Sequence, residues 1–295
     1  MPFIWRRLFI VISILVFPAI LSAQGLDTAK IDQALGRSGQ KTGDVYRVVF
    51  PRTDLHVIAH GVAIKPGFAL GSWAAFSGTD YEAHVMGDLA LLQDELNPVI
   101  EKLRSGGFEI TAIHNHLLDE TPRVMYVHYM GQGTATQIAG SLRAALAVSK
   151  TPLEKPAAAA NPPAPPAWVK AVEDAVGRKG TFNGGVLAFG VPRADAITMD
   201  GMSLAPPQGV AESINFQEAT PGKVATTGDF VMTATEVNPV IGALQENHIA
   251  VTGLHSHMLT EQPKLFFMHF WAVGTPESVG QGIKAALSLI STKNN

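Results

Sequence analysis

The sequence predicts an α+β protein of two homologous domains, each an antiparallel sheet with flanking helices. Three observations lead there. A long series of residues recurs at a nearly constant spacing of 141 positions. A Pro/Ala-rich stretch separates the two copies. Within each copy, β-branched runs bounded by Gly and Pro alternate with segments of helical period. At 295 residues, 46% apolar and 16% charged, the chain is long enough for two ordinary cores and too apolar for disorder.

The chain begins with a basic pair, Arg6-Arg7, and an apolar run from Leu8 to Leu21. Ser22-Ala23 then offers a small-residue cut before Gln24. The run is short for a spanning helix, which needs about 20 residues. It reads as a secretory signal over 1–23, with membrane contact through this segment only if it stays uncut. The first repeat follows over 27–150, a stiff spacer over 151–167 and the second repeat over 168–292. The spacer carries Ala157 to Ala160 and the run Asn161 to Pro166.

The repeat can be followed along the chain. Ile31 to Gly39 answers Val172 to Gly180 and Pro51-Arg52 answers Pro192-Arg193. Gly61 and Pro66 answer Gly201 and Pro206 one residue out of step. From Gly87-Asp88 and Gly228-Asp229 the spacing is 141 again. Asn97-Pro98 answers Asn238-Pro239, and the shared sequence closes at Ala144 to Leu146 and Ala285 to Leu287. In each copy the first element is a short helix, Ile31 to Gly36, stopped by glycine. Val45 to Phe50, Leu55 to Ile64, Phe68 to Phe76 and Tyr81 to Leu91 follow as strands. Asn97 is expected to cap a helix with Pro98 at its first position. Phe108 to Leu117 and Arg123 to Met130 form a hairpin, and Thr134 caps a last helix through Ala147.

Composition excludes several functions. A net charge of −3 leaves no footprint for nucleic acid and no polybasic membrane patch. With no cysteine there is no disulfide frame, thiolate metal site, cysteine nucleophile or lipidated N-terminal cysteine. The expected location is therefore periplasmic or secreted.

The chemistry concentrates in one pattern that occurs twice, His-x-His-x3-Glu-x-Pro-x5-His. It comprises His114, His116, Glu120, Pro122 and His128, then His255, His257, Glu261, Pro263 and His269. Six of the ten histidines fall here; His56, His60, His84 and His248 do not recur as histidine. Residues two apart on a strand share a face. A hairpin centred on Thr121 sets His128 opposite His114, roughly 5 Å away. Three imidazoles then converge in each repeat, a set that leaves a metal ion open positions. Neutral imidazoles crowded in apolar surroundings leave ring nitrogens unpaired, and a metal removes that cost. With N and O ligands only, a divalent transition metal fits: zinc first, with copper, nickel, manganese or iron also compatible. Glu120 and Glu261 are candidates for general base or fourth ligand, or are solvated turn residues. A hydrogen-bonded histidine cluster without metal stays open as the simpler account.

Known constellations fit poorly. Leu118-Asp119 and Leu259-Thr260 stand where a metallo-β-lactamase-type motif needs Asp-His, and His-Glu-x-x-His is absent. The His-x-His-x3-Glu spacing matches a cupin motif, yet flanking helices are foreign to that all-β barrel. Tyr126 and Phe267 share the histidine face and, with Trp73, Phe76 and Phe216, read as core. Glu95 and Glu236 read as cap or helix-dipole partners, Asp88 and Asp229 as turn residues, and Arg52 and Arg193 as structural ion pairs.

On the hairpins Ile113 to His128 and Leu254 to His269, with Gly36-Arg37, Gly177-Arg178, Trp73 to Phe76 and Ile214 to Phe216, the chain resembles the LppY/LpqO-like family of exported or lipid-anchored bacterial proteins. The resemblance spans both repeats and implies export and duplication; it brings no reaction. Three functions remain open on the sequence. One is an exported metal-binding protein with a site in each repeat. Another is a metal-dependent enzyme, hydrolase-like or cupin-like oxidoreductase, with a Glu base. The third is a metal-free module for a small polar molecule.

Overall fold

The computed structural model describes residues 25–154 and 164–293; the signal segment and most of the Pro/Ala spacer lie outside these residues. The first repeat opens with α1 (Thr28–Leu35), capped by the Asp27 carboxylate and stopped by Gly36 at φ 73°, a left-handed conformation that favours glycine. There follow β1 (Gln40–Thr42), β2 (Val45–Pro51), β3 (Ile58–Ala59), β4 (Val62–Ala63), α2 (Pro66–Ala69), β5 (Gly71–Gly78) and β6 (Ala83–Leu92). Then come α3 (Leu96–Ser105), β7 (Glu109–His114), β8 (Glu120–Thr121), β9 (Val124–Gly133) and α4 (Ala135–Leu146). The second repeat runs α5 (Ala167–Val176), β10 (Thr181–Asn183), β11 (Val186–Pro192), β12 (Ile197–Met199), β13 (Met202–Leu204) and a 3-10 turn at Pro206–Gln208. It continues with β14 (Ala211–Thr220), β15 (Lys223–Met232), α6 (Ala234–Glu246), β16 (Ala250–His255), β17 (Phe266–Gly274) and α7 (Pro276–Leu287).

Each repeat makes one six-stranded antiparallel sheet, in the order β1-β2-β5-β6-β9-β7 and β10-β11-β14-β15-β17-β16. The two orders are identical element for element, as the duplication requires. Strand alternation then divides each sheet. On one face Val85, Leu89, Val127 and Tyr129 pack under the helix residues Ile31, Leu103 and Leu142. In the second repeat Phe230, Met268 and Phe270 pack likewise with Val172, Val240 and Ile283. The other faces turn towards each other. Phe68, Leu117 and Tyr126 of the first repeat share a cluster with Val186, Ala225 and Trp271 of the second. Met86 and Met130 of the first join Met199, Met258 and Phe267 of the second. The molecule is therefore layered helix, sheet, sheet, helix. Crossing bonds are reciprocal: Thr111 Oγ1 donates to the His257 carbonyl at 2.5 Å and Thr252 Oγ1 to the His116 carbonyl at 2.6 Å. Each bond is the other's repeat equivalent, so the halves meet about a local two-fold, as in an isologous dimer.

Three expectations are corrected. Leu55 to Ile64 is not one strand; His60 and Gly61, at φ 49° and 79°, turn the chain between β3 and β4. The segment expected as a strand from Phe68 begins as α2, with Pro66 at its first turn, and only then becomes β5. Asn97 is not a cap. The helix begins at Leu96 after Glu95, and the Glu95 carboxylate accepts from the Leu92 and Lys150 amides at 2.8 Å each. In the second repeat the Glu236 carboxylate accepts from the Thr233 amide at 2.7 Å and from its hydroxyl at 3.0 Å, so α6 starts before Asn238 and takes Pro239 inside it.

A candidate metal centre between the repeats

Strands β7 and β16 both end on a histidine. Their registers differ by two residues from the expected hairpin. His114 faces Tyr126 and His128 faces Ala112, with a bulge between Ile110 and Ala112. His255 faces Phe267 and His269 faces Gly253, with the same irregularity one residue before Gly253. All six rings still lie on the inner face, because a two-residue shift preserves the side. His116 and His257 fall just beyond the strands and stack on Tyr126 and Phe267, with ring centroids 3.3 and 3.5 Å apart.

The expectation of one three-histidine site per repeat is corrected by the way the sheets meet. Each hairpin presents its rings on the face that the other sheet covers, and the six rings form one cluster. His114 stacks on its repeat equivalent His255 at 3.6 Å between centroids. His116 lies 3.9 Å from His269, and His128 lies 3.7 Å from His257. These two contacts are exchanged by the local two-fold. His114, His255, His257 and His269 each offer a ring nitrogen, all within 4.8 Å of one another.

Hydrogen bonding orients the lone pairs. The Nδ1 atoms of His269, His114 and His255 lie 2.8, 3.2 and 3.4 Å from the carbonyl oxygens of Gly228, Asn115 and Ser256. A carbonyl only accepts, so each Nδ1 carries the proton and each Nε2 holds a free lone pair. None of the six buried Nε2 atoms has a hydrogen-bond partner among the described residues. Burial, first of all, holds every one of these rings neutral: it pushes His255 and His269 down to about 4, and His114, His116, His128 and His257 further down, with the neighbouring rings adding to it.

Two carboxylates sit beside the rings. Asp88 of β6 pairs in register with His128, and Asp229 of β15 with His269. Asp229 Oδ2 lies 3.2 Å from His257 Nε2, and Asp88 Oδ2 lies 3.7 Å from His116 Nε2. Burial raises both carboxyls, and for Asp88 the neighbouring Asp229 adds to it. These aspartates were expected in turns; they stand inside strands. Their signal was present, since each recurs in the other copy within an otherwise apolar strand. The preceding glycine has a steric reason. A Cβ at Gly87 would come 2.2 Å from the Trp73 carbonyl, and one at Gly228 2.0 Å from that of Ser213.

Glu120 and Glu261 have partners other than the expected ones. Glu261 Oε1 accepts from the Leu265 amide at 3.0 Å and pairs with Lys264 at 3.1 Å. Glu120 Oε1 accepts from the Val124 amide at 3.3 Å. Both carboxylates bridge the turn that contains the cis peptide Thr121–Pro122 or Gln262–Pro263. Arg52 and Arg193 are buried in ion pairs with Glu95 and Glu236, at 2.8 and 2.9 Å. A cleft of about 320 Å³ reaches the cluster; Asp88, His128, Asp229 and His269 line it, with Arg47 and Glu212 on its walls. Neither Arg47 nor Glu212 was singled out from the sequence. Their counterparts in the other copy are Ala188 and Ser72, so the repeat gave no signal for them.

The comparisons agree with the duplication. A family model matches residues 29–148 and again 170–289, together most of the chain. The chain belongs to the family described as Domain of Unknown Function (DUF1259). No curated protein matches it. Among solved structures, a trimeric bacterial microcompartment shell protein, PduB, is 10% identical over 88% of this chain and 96% of its own, with a TM-score of 0.22. A crystal form of TP0453 is 12% identical over 85% and 95%, with a TM-score of 0.18. Neither likeness carries weight for this DUF1259 chain.

Proposed function

We propose that this chain is an exported metal-binding protein, LppY/LpqO-like in kind, whose one centre is built jointly by both repeats. The observation that carries the reading is the set of buried, partnerless Nε2 atoms beside two buried carboxylates. Lone pairs facing one another repel, and two acids within a low-dielectric layer cost free energy unless a cation is present. A divalent transition ion answers both at once. His114, His255, His257 and His269 would hold it, with the backbone carbonyls on Nδ1 of His114, His255 and His269 supplying the outer support common at metal-bound histidines. Zinc–nitrogen bonds of 2.0–2.1 Å set tetrahedral nitrogens about 3.4 Å apart, so the rings need only close inward. Nitrogen and oxygen donors without thiolate suit zinc, and copper or nickel next.

The test is elemental analysis of the mature protein against His255→Ala. A shared centre loses nearly all bound zinc when this single residue of the second repeat is removed. Two independent sites would lose half. Unchanged zinc content sinks the assignment.

A second reading, a metal-dependent enzyme, is favoured by the cleft that ends on the rings. The ion would supply Lewis acidity there. Asp88 and Asp229, rather than Glu120 and Glu261, are placed to accept or hold a proton beside it. Asn replacements of both aspartates that keep zinc but abolish turnover of a found substrate would support this reading.

A further inference from the structure

The cleft is asymmetric although the six-histidine cluster follows the local two-fold. On one wall the Arg47 guanidinium lies over the Trp73 ring at 3.9 Å and donates from Nη1 to the Pro207 carbonyl at 2.6 Å. Where Arg47 stands the second repeat has Ala188, and where Trp73 stands it has Ser213; strand register confirms both equivalences. No carboxylate among the described residues lies within ion-pair distance of Arg47. The contrast with Arg52 and Arg193, each held by two carboxylates, is direct. A half-buried guanidinium facing a cleft without a counter-ion is costly unless something anionic joins it.

Opposite stands Glu212, fully buried, whose Oε2 accepts from the Val231 amide at 2.6 Å. Its Oε1 has no partner. Its counterpart Ser72 is satisfied by the Ala90 amide. Burial pushes the Glu212 carboxyl well above its usual range, which favours the protonated form that can donate. Two donors of different charge thus line the wall, where one repeat contributes Arg47 and the other Glu212.

We propose that the cleft binds a small organic oxyanion, a carboxylate or a phosphate ester, with Arg47 as its anchor and the unpartnered Oε1 of Glu212 as a second contact beside the metal centre. This rests on the metal reading in one respect. Asp88 and Asp229 line the same cleft, and without a divalent ion they oppose an anion. Binding should therefore be stronger in zinc-loaded than in metal-free protein.

The experiment is calorimetric titration of the full mature chain, zinc-loaded and metal-free, with benzoate and with phenyl phosphate. The pair separates a planar carboxylate from a tetrahedral phosphate on one ring. At least one should bind the zinc-loaded protein. Arg47→Gln should weaken it about tenfold or more, the size expected for a lost charge-assisted pair, with zinc content and far-UV circular dichroism unchanged. Arg47→Lys, which keeps the charge but not the fork, guards against a folding defect and should fall between. Equal binding by Arg47→Gln, or no binding of either probe by zinc-loaded wild type, overturns the proposal and leaves the metal reading standing. Should the protein hold no zinc, the metal reading falls alone. The metal-free titration then decides: Arg47-dependent binding sustains the anion site, and its absence overturns it.

Discussion

A histidine near a glutamate invites one reading, and its hydrogen bonds decide another. Glu261 is bound to the amide and lysine of its own turn. Glu261→Gln should lower stability by about 1–2 kcal/mol, the cost of weakening bonds to a buried acceptor, while bound zinc stays the same. Loss of zinc in this variant would return Glu261 to the ligand set. Arg52 poses a plainer problem of charge. Its side chain is fully buried against Glu95, Asp54 and the Ala90 carbonyl. Arg52→Met leaves Glu95 without its counter-ion and should cost about 3–5 kcal/mol in urea unfolding. The histidines were legible because they recur. Asp88 and Asp229 recur too, but a Gly-Asp pair looks like a turn until the strand register is known. Arg47 and Glu212 were illegible, for a single residue without a counterpart has no pattern to stand against.

Among the elements, the helices and central strands followed local chemistry closely. Gly36 and Gly177 end their helices in the left-handed conformation that their sequence context suggests. Where reading and structure part, a stronger local bond won. The Glu236 carboxylate holds the Thr233 amide and hydroxyl ahead of Asn238. Thr233→Ala should therefore cost about 1 kcal/mol. Asn97→Ala, on the exposed side of the first-repeat helix, should stay within about 0.5 kcal/mol. Equal effects from the two would contradict the helix start assigned here. The hairpin register slipped two residues along β9, and a bulge between Ile110 and Ala112 lies beyond the histidine pairs. A slip of two residues keeps the inner face intact, so the histidines reached the expected side although their partners changed.

For the molecule as a whole, the rings couple protons to stability, and the proposed metal would enter the same balance. Burial depresses the histidines, to about 4 for His255 and His269, against 6.5 in an unfolded chain. Between those limits the unfolded state binds more protons at these rings, so the rings make metal-free protein less stable as pH falls from about 6.5 towards 4, while the raised Asp88 and Asp229 carboxyls act in the opposite sense. Bound zinc competes with those protons and should hold the melting temperature up through most of that window. Melting curves with and without chelator that decline in parallel would count against a metal at the cluster. Either repeat made alone would leave its inner face and its three rings uncovered, and should bind zinc far more weakly than the full chain or pair with a second copy of itself. The amino-acid order alone determined that this protein is a duplicated α+β chain, that six histidines hold equivalent places in it, and that the three of each copy lie on one side of their sheet. All of these follow from short-range periodicity and from repetition. Only the tertiary structure decided that the two sides close on each other, that the rings form one cluster instead of two, and that the cleft leading there is asymmetric. Period and spacing say which face a side chain takes; what covers that face is set by contacts between residues more than a hundred positions apart, such as Thr111 and His257.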